Sequence, residues 1–168
     1  LQPLGLVLIV CVLSIVAARV RISHLEEIEN RTTKLSDSRA NFAALIENTQ
    51  DSIWSIDSKY KLLTINSVFQ TQFAMEYAKV LEPGMSILEN SPKEIRTEWQ
   101  ADYDRALTGE HFTVDKKLSF GGQPIDLEIS FNPIIGENAD VTGVSVFARN
   151  ITDQKAALLR LFLNEWSS

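Results

Sequence analysis

The chain has 168 residues, a formal net charge of −6 and one cysteine, which suits a single domain with extensions rather than two full domains. Acidic side chains outnumber basic ones, 22 to 16, and no basic stripe appears, so nucleic-acid binding has little electrostatic support. Cys11 stands alone in an apolar run, which excludes a disulfide framework and a cysteine cluster for zinc.

The chain starts at Leu1 rather than methionine and is expected to be cut from something longer. Leu4–Ala18 (LGLVLIVCVLSIVAA) carries no charge, and only Ser14 is polar. Counted from Leu1, this stretch would be roughly 27 Å long as a helix, close to the ~30 Å hydrocarbon core of a bilayer. Arg19 and Arg21 follow at once and no positive charge precedes, so the positive-inside rule puts the rest of the chain in the cytoplasm. Val16-Ala17-Ala18 would serve as a signal-peptide cleavage site, but signal peptides carry their charge before the apolar region. A buried core helix is the other option, but fifteen uncharged residues ending in paired arginines fit a membrane boundary better. Residues 1–18 therefore read as a transmembrane helix.

Residues 19–41 read as a juxtamembrane signalling helix, because Val20 to Ile46 contains neither glycine nor proline. Leu25, Ile28, Thr32, Leu35, Arg39 and Phe42 fall on alternating three- and four-residue steps, a heptad seam with two polar members. A solvated connecting helix would also fit. The sharper reading is a parallel homodimeric coiled coil, which Thr32 and Arg39 would weaken in a way that suits a helix that must tilt or change register.

Residues 42–152 have the length of one domain. Ser52–Asp57 and Lys61–Ile65 read as short strands joined by a turn. Asn66 can cap the next helix, where Phe69, Phe73 and Tyr77 share a face. Pro83-Gly84 breaks the chain. A second helix is predicted with Ser91 as N-cap, Pro92 at its first position and Glu94 completing a capping box. Ile95, Trp99, Tyr103 and Ala106 line its apolar face, and Gly109 ends it. Two alternating strands follow around a Gly121-Gly122 turn. Phe112, Val114, Leu118 and Phe120 point inward on the first, interrupted by Lys116. Ile125, Leu127, Ile129 and Phe131 do so on the second. A last strand, Val141–Arg149, runs directly into Asn150-Ile151-Thr152-Asp153 and an exit helix over 153–168. Thr152 can accept from the first free N–H groups of that helix, and Asp153 complements its dipole. The order predicts an α+β fold, an antiparallel five-stranded sheet with helices on one face.

This order resembles that of a PAS domain. The matching residues are Asp57, Asn66, Ala106–Gly109 (ALTG), Glu128 and Pro133 in LEISFNP, and the closing Asn150-Ile151-Thr152. The family closes on Asp-Ile-Thr; Asn150 keeps a hydrogen-bonding side chain and loses the charge. With the preceding helices, the whole is similar to the linker region of a bacterial transmembrane sensor histidine kinase. The resemblance implies a bacterial inner-membrane location, a cytoplasmic PAS domain, a homodimer through linker and output helices, and signal relay through Asn150, Thr152 and Asp153 to a downstream output domain. A chemoreceptor, a cyclic-dinucleotide enzyme or a stand-alone tethered interaction protein are the alternative settings.

No catalytic motif is present: there is no phosphate-binding glycine loop, no Gly-x-Ser-x-Gly elbow and no HExxH pair. Asp102 and Asp104 do not share a helix face and read as solvated charges. His24 precedes the domain and reads as a polar interface residue rather than a phospho-acceptor; His111 reads as a surface residue. Haem-binding relatives place a histidine on the long helix, and Ile95–Leu107 has none. Cysteinyl-flavin relatives need a cysteine in the domain, and Cys11 lies outside it. Both cofactors are therefore disfavoured. Trp99, Tyr103, Phe112, Val114, Leu127, Ile129 and Phe131 line the inward faces, where a small apolar ligand would have to sit; a dry, filled core is the favoured alternative. In the exit helix, Leu158, Leu159, Leu161, Phe162, Leu163 and Trp166 are more apolar residues than a lone solvated helix carries, and a partner is expected to cover them.

Overall fold

The computed structural model describes residues 3–120 and 122–165. The chain divides into two compact units, Leu1–Leu45 and Ile46–Ser168. The first unit is one continuous helix, α1 (Pro3–Glu47), whose last two residues belong to the second unit. Among the described residues no helix is long and apolar enough to cross a membrane, so the structure does not support the span expected over 1–18. Leu1 and Gln2, where the expected span starts, lie outside the described residues. The seam residues Leu25, Ile28, Leu35 and Phe42 are all exposed on α1.

The second unit is built on β1 (Ser52–Asp57), β2 (Leu62–Ile65), α2 (Ser67–Tyr77), α3 (Ile87–Asn90), α4 (Lys93–Leu107), β3 (Phe112–Phe120), β4 (Gln123–Ile135), β5 (Val141–Asn150) and α5 (Thr152–Glu165). The five strands form one sheet in the order β2-β1-β5-β4-β3, and every neighbouring pair is antiparallel. The period-two pattern of β4 works as expected: Leu127, Ile129 and Phe131 are buried. The register extends this face across four strands, with Trp54 opposite Val146, Val146 opposite Phe131, and Phe131 opposite Phe112. All four are buried, and burying three aromatic side chains in one row makes it the spine of the core. Helices α2 and α4 pack on this row. Phe69 stacks on Trp54 with ring centres 4.0 Å apart, and Tyr103 meets Phe131 edge-on at 5.8 Å.

Two backbone approaches hold the sheet's first strand. At Gly143, opposite Asp57 on β1, a Cβ would lie 2.2 Å from the Ile56 carbonyl oxygen. Asn66 is the N-cap of α2, as expected, but its wholly buried side chain does more. Its Oδ1 accepts from Phe69 N–H at 3.1 Å and Ile53 N–H at 3.0 Å, while its Nδ2 donates to the carbonyls of Ile46 and Asp51 at 3.0 and 2.9 Å. Glu47 adds a second cap, accepting from Ser67 N–H at 3.0 Å; hydrogen bonding from Ser67 holds its carboxyl below the ordinary carboxylate value.

Several local expectations are corrected. The first residue of the second predicted strand, Lys61, makes only an isolated bridge to Ser86, and β2 starts at Leu62. Ser91 does not cap α4. It is the C-cap of α3, a turn not foreseen, and its hydroxyl donates to the Ile87 carbonyl at 2.7 Å. Pro92 takes the N-cap position of α4 without a side-chain bond. The helix ends as predicted, with Gly109 in the left-handed region at φ +97. In the β3–β4 turn Gly122 also has positive φ, and Gly121 lies outside the described residues.

Candidate functional site

Strand β5 ends at Asn150 and α5 begins at Thr152, so one residue, Ile151, joins sheet to exit helix. Ile151 is buried. Its N–H donates to the Asp126 carbonyl on β4 at 2.9 Å, and its own carbonyl accepts from Lys155 N–H at 2.9 Å. The expected capping roles are exchanged. Asn150 Oδ1 accepts from Thr152 N–H at 3.0 Å, so Asn150 takes the helix-end donor. The Thr152 hydroxyl instead accepts from the backbone N–H of Asp126 at 2.9 Å. Local sequence favours a cap, but the Thr152 hydroxyl lies within reach of the Asp126 N–H on β4 and bonds it instead. Asp153 lies in the first turn of α5, as predicted, where its charge suits the dipole.

The sequence did not single out Lys155, Asp126 or Asp115, which complete the junction. Lys155 Nζ lies 2.8 Å from Asp115 on β3 and 3.1 Å from Asp126 on β4. Hydrogen bonds to Asp115 first and then Asp126 raise its pKa above the ordinary lysine value. The only sequence signal was the spacing of Lys155 three residues past a sheet–helix boundary. Nearby, Arg149 pairs with Asp51 at 3.3 Å, linking β5 to the segment before β1.

Between α2, α4 and the sheet lies a cavity of about 40 Å³. Of the seven predicted lining residues, Trp99, Tyr103 and Leu127 reach it. Phe112, Ile129 and Phe131 are buried in the core and Val114 is partly buried against it, away from the cavity. Sequence reasoning missed the wall formed by Trp54, Phe69 and Phe73, and a polar corner where Ser52 Oγ donates to Gln72 Oε1 at 2.6 Å. Gln72 immediately precedes Phe73, so the α2 pattern alone places it beside the apolar face.

Tyr103 is fully buried, and burial pushes its phenol well above the ordinary tyrosine value, so it stays protonated. Its oxygen accepts from the Trp54 indole N–H at 3.0 Å. Tyr103→Phe should strand that buried donor and cost about 1–3 kcal/mol, read as a lower midpoint in urea with unchanged slope. A neutral result would mean that the indole finds another acceptor.

Asp104 is exposed, as expected, and accepts from the Tyr60 hydroxyl at 2.5 Å. Asp102 is not a solvated charge: its side chain is 18% exposed and pairs with Lys116 at 2.6 Å. Lys116, the charged interruption on the inward face of β3, also pairs with Glu98 and lies 5.0 Å from the Trp99 ring centre. His111 is exposed, as expected, and His24 is exposed on α1.

A five-stranded antiparallel sheet, helices over one face and an exit helix bonded back to the sheet define an α+β module. Residues 46–156 match the PAS fold family, and the chain belongs to that family. It is similar to the PAS domain of BvgS from Bordetella pertussis, with 20% identity over 79% of this chain and 99% of that one, at a TM-score of 0.58. A sensory box sensor histidine kinase from Vibrio cholerae shares 18% identity over 71% of this chain and 93% of its own, at a TM-score of 0.50. The phage VqmA–DPO complex shares 15% identity at a TM-score of 0.59, over 77% of this chain and 60% of that one. At these identities the likeness is one of fold. No curated protein matches the chain.

Proposed function

We propose that this chain is the PAS sensory and dimerisation module of a bacterial inner-membrane signalling protein, relaying changes in the sheet through Asn150, Thr152 and Asp153 to an output domain, a histidine kinase. The observation that carries the reading is the pair of hydrogen bonds between Asp126 on β4 and the start of α5: Ile151 N–H donates to the Asp126 carbonyl, and Asp126 N–H donates to Thr152 Oγ1. A shift of β4 must move the first turn of α5. The helix in turn carries exposed Leu158, Leu159, Leu161 and Phe162, which suit a second copy of the chain packed beside it; Trp166 lies outside the described residues. Membrane attachment rests on the uncharged run Leu4–Ala18 and the arginines after it. Deleting residues 1–18 should then release the protein from the membrane fraction.

Thr152→Val keeps the side chain's shape and removes the acceptor of Asp126 N–H. We expect a loss of about 1 kcal/mol and faster amide exchange confined to Asp126, Ile151 and Lys155. Exchange that speeds up evenly through the domain would remove the junction's special role. A second reading, sensing of a small molecule in the cavity, is favoured by the Ser52–Gln72 corner. Mass spectrometry of the purified protein for a copurifying ligand tests it.

A further inference from the structure

Lys116 lies on the inward face of β3 with its side chain only 9% exposed. An ammonium placed there is costly unless it is paired. Its partners all come from α4: Asp102 at 2.6 Å, Glu98, and the face of Trp99 at 5.0 Å. Trp99 also lines the cavity, 5.9 Å from Trp54. A change in the cavity that turns Trp99 therefore disturbs the ion cluster on its other side.

The residues on either side of Lys116 point outward and lead to the exit helix. Asp115 pairs with Lys155 of α5 at 2.8 Å. Lys117 stands opposite Asp126 in the β3–β4 ladder, and Asp126 is the residue that bonds Ile151, Thr152 and Lys155. Consecutive Cα atoms are held about 3.8 Å apart, so a displacement of Lys116 carries both neighbours with it.

We infer that Lys116 is a relay residue: clamped to α4 by Asp102, Glu98 and Trp99, it couples the cavity wall to α5 through β3, a route separate from the β5–Ile151 hinge. The inference rests on the reading of α5 as the output helix. Coupling of this kind is shown by a measured energetic link and not by adjacency alone.

The test is amide hydrogen exchange on the full chain. Lys116→Met should speed exchange at Ile151 and Lys155 about tenfold while leaving Asp57 N–H, at the far side of the sheet, within about twofold. Glu98→Gln, which alters a mostly exposed side chain and leaves Lys116 in place, should give the same pattern at about threefold even if Lys116→Met does not fold. Unchanged exchange at Ile151 and Lys155, or equal acceleration at all three amides, overturns the proposal. If these variants are flat while Thr152→Val acts selectively, the hinge stands and the β3 route fails. If Thr152→Val is also flat, the reading beneath both fails.

Discussion

Gly143→Ala is expected to be the most destabilising single-methyl change in the domain, costing about 3 kcal/mol or more. The added Cβ would meet the Ile56 carbonyl oxygen at 2.2 Å and its carbon at 3.2 Å. Both atoms are backbone, in the last pairs of the β1–β5 ladder, so no side-chain rotation relieves the clash. The strands must separate, and Gly143 also stands opposite Ile134 on β4, so the separation reaches a third strand. A domain of this size is stable by about 5–15 kcal/mol, and the loss is a large fraction of that. Urea unfolding should show a much lower midpoint, or a chain already unfolded in water. An unchanged midpoint would mean that β1 and β5 lie farther apart in solution.

Asn66→Ala is expected to cost about 3–4 kcal/mol, because it removes a helix cap and strands further buried backbone groups at once. Asn66→Asp separates these roles. Aspartate caps helices as well as asparagine does, so if capping were the whole role this variant would be near neutral. With Nδ2 donating to the Ile46 and Asp51 carbonyls, aspartate instead points an oxygen at two oxygens. A loss close to that of alanine is the expected result in the same urea titration, and near-wild-type stability would reduce Asn66 to a cap.

Much of the fold is legible in the sequence because its signals are local and periodic. Leu127, Ile129 and Phe131 alternate with polar residues over a long strand, and Phe69, Phe73 and Tyr77 repeat every four. What was not legible depends on partners far along the chain. Lys116 reads as an error in an apolar face until Glu98 and Asp102 of α4 are seen beneath it. Thr152 has the spacing of a cap, but its partner is 26 residues earlier. Ser91 precedes a proline and a helix, which fits a start signal, yet it closes a four-residue helix too short for any periodicity to reveal. At the site, the residues on the β5–α5 boundary could be named in advance, whereas Asp115, Asp126 and Lys155 could not. The cavity was misplaced for a related reason. The inward faces of β3 and β4 are the most regular in the sequence, but Phe112, Ile129 and Phe131 fill their own space, and the gap falls between α2 and α4.

The outer strand β3 ends the sheet, with β4 on one side and, among the described residues, no strand on the other. A rank of backbone donors and acceptors at such an edge invites a foreign strand to add to it. Asp115, Lys116 and Lys117 occupy the middle of that edge, and an incoming strand would have to desolvate the exposed charges of Asp115 and Lys117. The same residues that tie β3 to α4 and α5 thus guard this edge of the sheet against a foreign strand.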